Sequence, residues 1–407
     1  MKNGWQTKML GDVADVSAGN SAPQDQSLFK DGIYPFFRTA DAGRVRFGDI
    51  YQSTDCLNEK GIKGLRRYPK GTILFPKSGA STFLNHRVML GVEGCVSSHL
   101  ATIVADEKQA HPRYLLYYLS TIAAQDLVQD HAYPSLNLPA ISRIKIQAPP
   151  VAEQGRIVGL LDEAFAGIAT AKSNTEKNLR NARALFESQR QSMLSQRGPG
   201  WVEKPFAELC NIKHGYAFEG EFFSTEGEYV LLTPGNFYET GGYRDRGEKQ
   251  KYYSGEIPRD YVLDEGDLLV AMTEQAAGLL GSPILVPESD KFLHNQRLGL
   301  VLKKPDVAWT NEFFFHVFNI QSVRKAIHAS ASGVKVRHTS PTKIGEVVVG
   351  FPTSLADQKR IVSTLASLAA ETDHLVSIYE RKLAALEALK KSLLHQAFSG
   401  ELGAMAA

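Results

Sequence analysis

Residues 149–196, PPVAEQGRIVGLLDEAFAGIATAKSNTEKNLRNARALFESQRQSMLSQ, decide how this chain is built. Between Gly167 and Gly198 no Gly or Pro interrupts them, apolar residues recur at steps of three and four, and the outward positions are Lys, Arg, Glu, Gln and Asn. That periodicity predicts one long amphipathic helix. The pattern returns at the end of the chain over residues 352–402, PTSLADQKRIVSTLASLAAETDHLVSIYERKLAALEALKKSLLHQAFSGEL. The chain therefore reads as a doubled unit: a globule (1–150), a long helix (151–198), a second globule (199–353), a second long helix (354–402) and a short tail (403–407).

Each helix carries an apolar seam. In the second it runs through Leu365, Leu368, Thr372, Leu375, Tyr379, Lys382, Leu386, Leu389 and Leu393, with Leu383 beside the misplaced Lys382. In the first it is Ile157, Leu161, Phe165, Ile168, Thr175, Leu179, Ala182, Leu185 and Met193. Heptad-like seams on two helices of matched length predict that they pair inside one chain. At 1.5 Å per residue about 44 residues make a rod of roughly 65 Å. A globule of ~150 residues is shorter than that, which argues against the plainer alternative that each helix only packs on its own globule.

Composition is that of a globular protein: 407 residues, 43% hydrophobic and 22% charged. The opening, MKNGWQTKMLGDVADV, lacks the apolar core of a signal peptide, and no run of eighteen apolar residues occurs, so a cytoplasmic protein without a membrane segment is expected. Cys56, Cys95 and Cys210 are far apart and odd in number, which indicates neither a disulfide framework nor a zinc site. Residues 1–150 hold 17 Lys and Arg against 13 Asp and Glu, whereas 199–353 hold 16 against 20. With one globule mildly basic and the other mildly acidic, any nucleic-acid reading rests on local patches.

The repeat begins at once. GWQTKMLGDVADVSAG (4–19) aligns without gaps on GWVEKPFAELCNIKHG (200–215), Trp5 falling on Trp201 and Gly19 on Gly215. Short β-like runs follow at 34–38, 44–47, 71–75, 87–92 and 101–104, with expected counterparts at 229–233, 261–263, 266–272, 282–286 and 298–302. Each globule then has an aromatic helix, from Pro112 and from Thr310, and a polar loop, AYPSLN (132–137) or ASGVKVRHTS (331–340). A last strand, 141–146 or 344–349, leads into Glu153-Gln154 or Asp357-Gln358 at the head of the long helix. Each unit is thus a mixed α/β globule that delivers the chain into a helix.

Catalytic motifs are missing. The one Pro-Pro pair, Pro149-Pro150, introduces a helix rather than the loop that grips a flipped base. Glu380-Arg381-Lys382 has nuclease-like spacing but sits on the long helix, and Asp106-Glu107-Lys108 sits in a turn, so both read as surface charge. Neither a phosphate-cradling Gly-rich loop nor His-Glu-x-x-His occurs, and His99, His214 and His294 stand alone.

What remains is recognition. Lys60, Lys63, Arg66, Arg67, Lys70 and Lys77 crowd one stretch of the first globule beside Tyr68 and Phe75. The second globule offers YRDRGEKQKYY (243–253), with Arg244, Arg246, Lys249 and Lys251. Such patches can engage phosphates and leave donors for base edges, although either alone could be a solvated charged face. Further candidate DNA contacts are Arg38, Ser78 and Arg87 in the first globule, and Thr273, Asn295, Arg297, Lys335 and Arg337 in the second.

Several marks together resemble the specificity subunit of a type I restriction-modification system. They are the paired Trp-x-x-x-x-(Leu/Phe) openings at Trp5 and Trp201, the strand-loops GTILFPKSG (71–79) and GDLLVAMTE (266–274), and the segments SRIKIQAPPVAEQGRIVGLLD (142–162) and GEVVVGFPTSLADQKRIVSTL (345–365), with the closing KKSLLHQAFSGEL (390–402). The resemblance covers almost the whole chain. It implies two α/β (mixed α+β) target-recognition domains, each reading part of a split, asymmetric double-stranded DNA sequence. It also implies that the long helices form an antiparallel coiled coil relating the halves of a pseudo-two-fold internal repeat. A non-catalytic chain without cofactor is implied, with two methyltransferase subunits that bind S-adenosylmethionine and, in the complete enzyme, restriction subunits that use ATP and Mg. The alternative reading is a coiled-coil protein-interaction scaffold without sequence-specific DNA binding.

Overall fold

In the computed structural model, which describes residues 4–128, 134–274 and 278–402, the two amphipathic stretches are single helices of 45 residues each, Val151–Ser195 and Leu355–Ser399. The tail 403–407 and the first two residues of the 132–137 loop lie outside the described residues. Contacts divide the chain into two compact units, one running to Glu176 and resuming at Arg381, the other Lys177–Glu380. Each unit therefore holds one globule and half of each long helix. Among the described residues no helix is long and apolar enough to cross a membrane.

The two globules share one topology. In the first unit a sheet runs in the order Ala14–Ala18, Leu100–Ala105, Ile73–Pro76, Arg87–Leu90, Phe47–Ile50. The second unit repeats its first four members as Cys210–His214, Leu298–Lys303, Leu268–Ala271, Pro283–Leu285. A further sheet orders Asp55–Leu57, Tyr34–Phe37, Gly94–Val96, Arg67–Tyr68 in one unit. In the other it orders Phe223–Ser224, Tyr252–Tyr253, Tyr229–Leu231, Phe292–Leu293, Val262–Leu263. Its second and third members in the first unit pair in parallel, Phe36 with Cys95, as do Val230 and Phe292 in the second. Gln6–Met9 with Lys145–Ala148, and Trp201–Pro205 with Val348–Pro352, tie each globule's entry to its exit.

This order corrects one expected equivalence. Residues 44–47 are not the counterpart of 261–263, because Arg44 and Val45 belong to the last turn of the helix Thr39–Val45, whose third position, Asp41, accepts the Arg38 N–H at 2.8 Å. The strand begins only at Phe47, and Val262–Leu263 matches Arg67–Tyr68 instead. Strands this short carry no periodicity for a sequence reading to find.

Two devices recur in both units. The first is a close crossing: a Cβ on Gly19 would lie 2.3 Å from the Ser97 carbonyl oxygen, and one on Gly215 would lie 2.2 Å from that of Asn295, so only glycine admits the approach. The second is a buried glutamine at the head of each long helix. Gln154 accepts the His111 N–H at 2.8 Å and donates to the carbonyls of Pro149 (2.8 Å) and Gln109 (3.2 Å). Gln358 accepts the Thr310 N–H at 2.9 Å and donates to Ala308 (2.8 Å) and Pro352 (3.0 Å). Both side chains are fully buried, so each long helix is bolted to the start of its aromatic helix, Pro112–Ser120 or Asn311–Phe318.

The helices pair antiparallel within each unit. In the first, Leu161, Leu394 and Ala397 join the globule's core, the Lys390 ammonium lies 5.2 Å from the Phe165 ring, and Lys172 bonds Glu387 at 2.7 Å. In the second, Leu194 and Leu365 share a core and Arg183 meets Glu380 at 3.2 Å. Ile157, Leu161 and Leu365 are buried, and Ile168, Leu179, Leu368, Leu386 and Leu393 are half-buried. Leu185, Leu375 and Leu389 correct the expected seam, being 61%, 41% and 46% exposed. Along the second helix Leu365, Thr372, Tyr379, Leu386 and Leu393 stay in the seam, but its other line is Ala369, Val376, Leu383, Lys390 and Ala397. Steps of three and of four from the same start are both compatible with a seam, and packing selects four here. On the first helix Phe186 replaces Leu185.

Candidate nucleic-acid interface

The glycine crossings build one edge of each globule. Beyond Gly19, Asn20 donates its N–H to Val96 (2.6 Å) and accepts that of Ser98 (2.7 Å). Beyond Gly215, Tyr216 does the same with His294 and Gln296, both at 2.9 Å. The central strand arrives beside this turn, with the Lys77 N–H on the His99 carbonyl (3.1 Å) and the Met272 N–H on that of Arg297 (3.0 Å). A third segment closes the edge, Leu136 donating to Lys77 (2.8 Å) and Thr339 to Met272 (2.9 Å). The repeat thus makes Ser78 equivalent to Thr273 and His99 equivalent to Arg297. Three loops of different origin converge, which is where a scaffold presents variable contact residues.

In the second unit these loops enclose a cleft of about 470 Å³ lined by Arg246, Lys251, Arg297, Thr233, Thr273 and Val336, among others. The Arg246 guanidinium lies against Gly235, where a Cβ would stand 2.8 Å from it. Among the described residues Arg244, Arg246, Lys249, Lys251, Arg297 and Lys335 make no ion pair. Glu219, Glu221, Glu226 and Glu228 are exposed and none of them lines the cleft, so the globule's net acidity does not cancel its cations. Arg244 stacks 5.9 Å from the Tyr238 ring, and Lys249 ends the short turn Gly247–Lys249. Lys335 is exposed beside Val334, whose side chain is entirely open to solvent.

Two residues expected to contact DNA instead shape this cleft. Asn295, 7% exposed, accepts the Arg297 N–H at 3.0 Å and holds the turn. Arg337 spends its guanidinium on Glu274 (3.1 Å) and the His328 carbonyl (2.6 Å). Glu274 is buried at the base of the cleft, where its other oxygen accepts the N–H groups of Gly278, Leu279 and Leu280 at 2.9, 2.9 and 3.1 Å. Nothing in the sequence marks it as an anchor, because its partners are backbone groups four to six residues further along the chain.

The first unit handles its cations differently. Arg38 is paired to Asp55 at 2.5 Å, Arg66 to Asp15 at 2.7 Å, and Arg67 to Glu93 at 2.7 Å. All three also face rings: Phe36 at 5.1 Å, Tyr68 at 4.9 Å and Tyr34 at 5.5 Å. The hydrogen bond to Asp15 pushes the Arg66 pKa up. Lys63 is exposed, and Lys77 and Ser78 are half-buried on the converging edge. Arg87 is the clearest correction: it is fully buried, its guanidinium centre 3.4 Å from the Phe75 ring, with bonds to the carbonyls of His86 (2.8 Å) and Ile122 (3.4 Å). Burial pushes its pKa down to about 9, and no DNA could reach it. Nor are the two basic stretches equivalent, since 60–77 follows the strand Asp55–Leu57 whereas 243–253 leads into its counterpart Tyr252–Tyr253.

Residues 2–180 match the model of a family described as the type I restriction modification DNA specificity domain. The chain is 27% identical over 236 residues to the type I restriction enzyme EcoBI specificity subunit of Escherichia coli, which covers 58% of this chain and 44% of that one. With the MjaIX specificity subunit of Methanocaldococcus jannaschii it is 28% identical over 155 residues, 36% of this chain and 34% of the other. The chain therefore matches less than half the length of these curated relatives. Among solved structures it resembles one described under complex assembly and conformational transition of the type I R-M system, with a TM-score of 0.77, 16% identity and coverage of 98% and 99% of the two chains. It also resembles the HsdS subunit from Thermoanaerobacter tengcongensis, with a TM-score of 0.61, 16% identity and 98% of both chains covered.

Proposed function

We infer from the match of residues 2–180 to the type I restriction modification DNA specificity domain that this chain is the sequence-reading, non-catalytic subunit of such a system. Each globule reads one half of a split, asymmetric target. The observation that carries this is the convergence of Arg246, Lys251 and Arg297 with the hydroxyl of Thr273 in one cleft, at the loop edge that the first unit repeats around Lys77 and Ser78. Unpaired cations neutralise phosphates and set register, while hydroxyls and guanidinium forks meet base edges.

The long helices fix the gap between the half-sequences. Gln154 and Gln358 supply the stiffness, because a helix that pivoted on its globule would blur the gap. Methyl transfer belongs to two adenine methyltransferase subunits that bring S-adenosylmethionine, and cleavage to nuclease and translocase subunits that bring ATP and Mg. The test is to map adenine methylation in cells that carry this chain with its methyltransferase partner. The expected result is a two-part motif with a constant gap; a contiguous motif, or no motif, counts against the reading. Lengthening both helices by one heptad should change the gap and leave both half-sequences alone.

A further inference from the structure

The repeat sets two grooves at the same place in the fold, one in each unit, and puts an arginine pair in only one of them. In the first unit the last turns of the helix Leu355–Ser399 and the end of Pro112–Ser120 enclose about 510 Å³ lined by Leu394, Phe398, His395, Ser120, Thr121 and a single lysine, Lys391. In the second unit the last turns of Val151–Ser195 and the junction of Asn311–Phe318 with Gln321–Ala329 enclose about 560 Å³ lined by Arg190, Arg324, Glu187, Gln191 and Asn319. The spacing that aligns Gln154 on Gln358 aligns Arg190 on Leu394 and Gln191 on His395. Arg324 aligns on Gln125 by the bond each makes: its guanidinium donates to the Gly278 carbonyl, as the Gln125 amide donates to that of Phe83 at 2.7 Å.

A leucine and a neutral amide therefore suffice to build this junction. Arg190 and Arg324 put two guanidinium groups there instead, and burying like charges side by side costs free energy unless an anion answers them. Arg190 is 9% exposed and, among the described residues, its one ion pair is with the Glu187 carboxylate three residues back, which is itself half in solvent, while its guanidinium lies 5.9 Å from the Phe186 ring. Arg324 bonds Asn319 at 3.4 Å besides Gly278, and its Nε is buried with no partner. Desolvation pushes its pKa down to about 10. We propose that the groove between the end of the first long helix and the 319–328 junction is a binding site for a single phosphate group of a small molecule, held by Arg190 and Arg324. Glu187 and Glu239 line the same groove and oppose a more highly charged ligand such as a triphosphate. The side chains of Asn319 and Gln191 offer polar contacts to a sugar or base, for which the volume suffices.

The full-length chain, carrying Lys251→Gln and Arg297→Gln so that the DNA cleft does not compete, is titrated with inorganic phosphate, AMP and ATP by calorimetry and thermal melting. The expected result is saturable binding of phosphate or AMP, with a rise in Tm. Arg190→Leu and Arg324→Gln, the residues the first unit carries, should each weaken binding about tenfold or more while leaving the Tm without anion nearly unchanged. Should Arg190→Leu not fold, Arg190→Met keeps the length of the stem and carries the same test. The proposal fails if no probe binds saturably, if ATP binds more tightly than AMP, if these substitutions leave binding unchanged, or if Arg190→Met and Arg324→Gln both unfold the chain without anion.

Discussion

The first globule is the more basic by composition, yet its arginines are the more occupied; the second is acidic overall and leaves its cleft cations unpaired. Arg38, Arg66 and Arg67 each meet a carboxylate of their own globule, whereas Arg246, Lys251 and Arg297 meet none among the described residues. Net charge is a poor guide to binding at this scale. What a phosphate experiences is the set of cations within roughly one Debye length, about 8 to 10 Å, that no internal acid has claimed.

The largest expected effect breaks that comparison directly. Replacing Arg246, Lys251 and Arg297 together by Gln should weaken specific DNA binding of the assembled complex by about two to three orders of magnitude. It should also flatten the slope of log affinity against log salt by roughly 3. The matching triple change at Arg38, Arg66 and Arg67 should do less, because each arginine already spends part of its charge internally. Equal losses in a salt titration would show that internal pairing does not govern availability.

Stability offers the next contrast. Leu161→Ala, in a fully buried position of the first unit's core, should cost about 2–5 kcal/mol, whereas Leu389→Ala should stay within about 0.5 kcal/mol. Chemical denaturation of both variants decides whether the seam runs through Leu383 and Lys390 or through Leu389.

Acid should weaken the second unit first. Burial pushes His294 and His316 down to about 4, so the folded chain keeps both neutral while the unfolded chain protonates them near 6.5. Between those values the unfolded state binds more protons, and stability falls as the pH drops from about 6.5 to about 4. His294, fully buried, would by itself account for about 3 kcal/mol. Burial lowers His86 in the first unit as well. Hydrogen exchange at pH 7 and pH 5 should show protection lost mainly in 177–380, and a uniform loss would refute the assignment.

On DNA affinity the smallest effect is expected at Arg87. Arg87→Met should change stability by about 1 kcal/mol or less, of either sign, and leave DNA affinity as it was. A drop in affinity at unchanged stability would return Arg87 to the interface.

The long helices, the duplication and the family resemblance were readable because they rest on periodicity and on motifs tens of residues long. Gln154 and Gln358 stood out in sequence only as aligned letters, and their role as bolts appeared once the backbone groups they satisfy were in place. The cleft was half readable: Arg246, Thr273 and Arg297 were singled out and do meet, but Asn295 and Arg337 were singled out equally and spend their polar groups within the globule, as the buried Arg87 does in the first unit. A sequence shows that a side chain can donate; it does not show which acceptor reaches it first.

By itself, then, the sequence determined that this protein is a doubled α/β unit punctuated by two long helices, because hydrophobic period and turn residues act locally. Only the tertiary structure decided which line of the seam is buried, which cations remain unpaired and why Arg190 and Leu394 can occupy one position in two copies of a fold. Those outcomes depend on groups far apart in the chain competing for the same neighbour, and distance along the sequence carries no record of that competition.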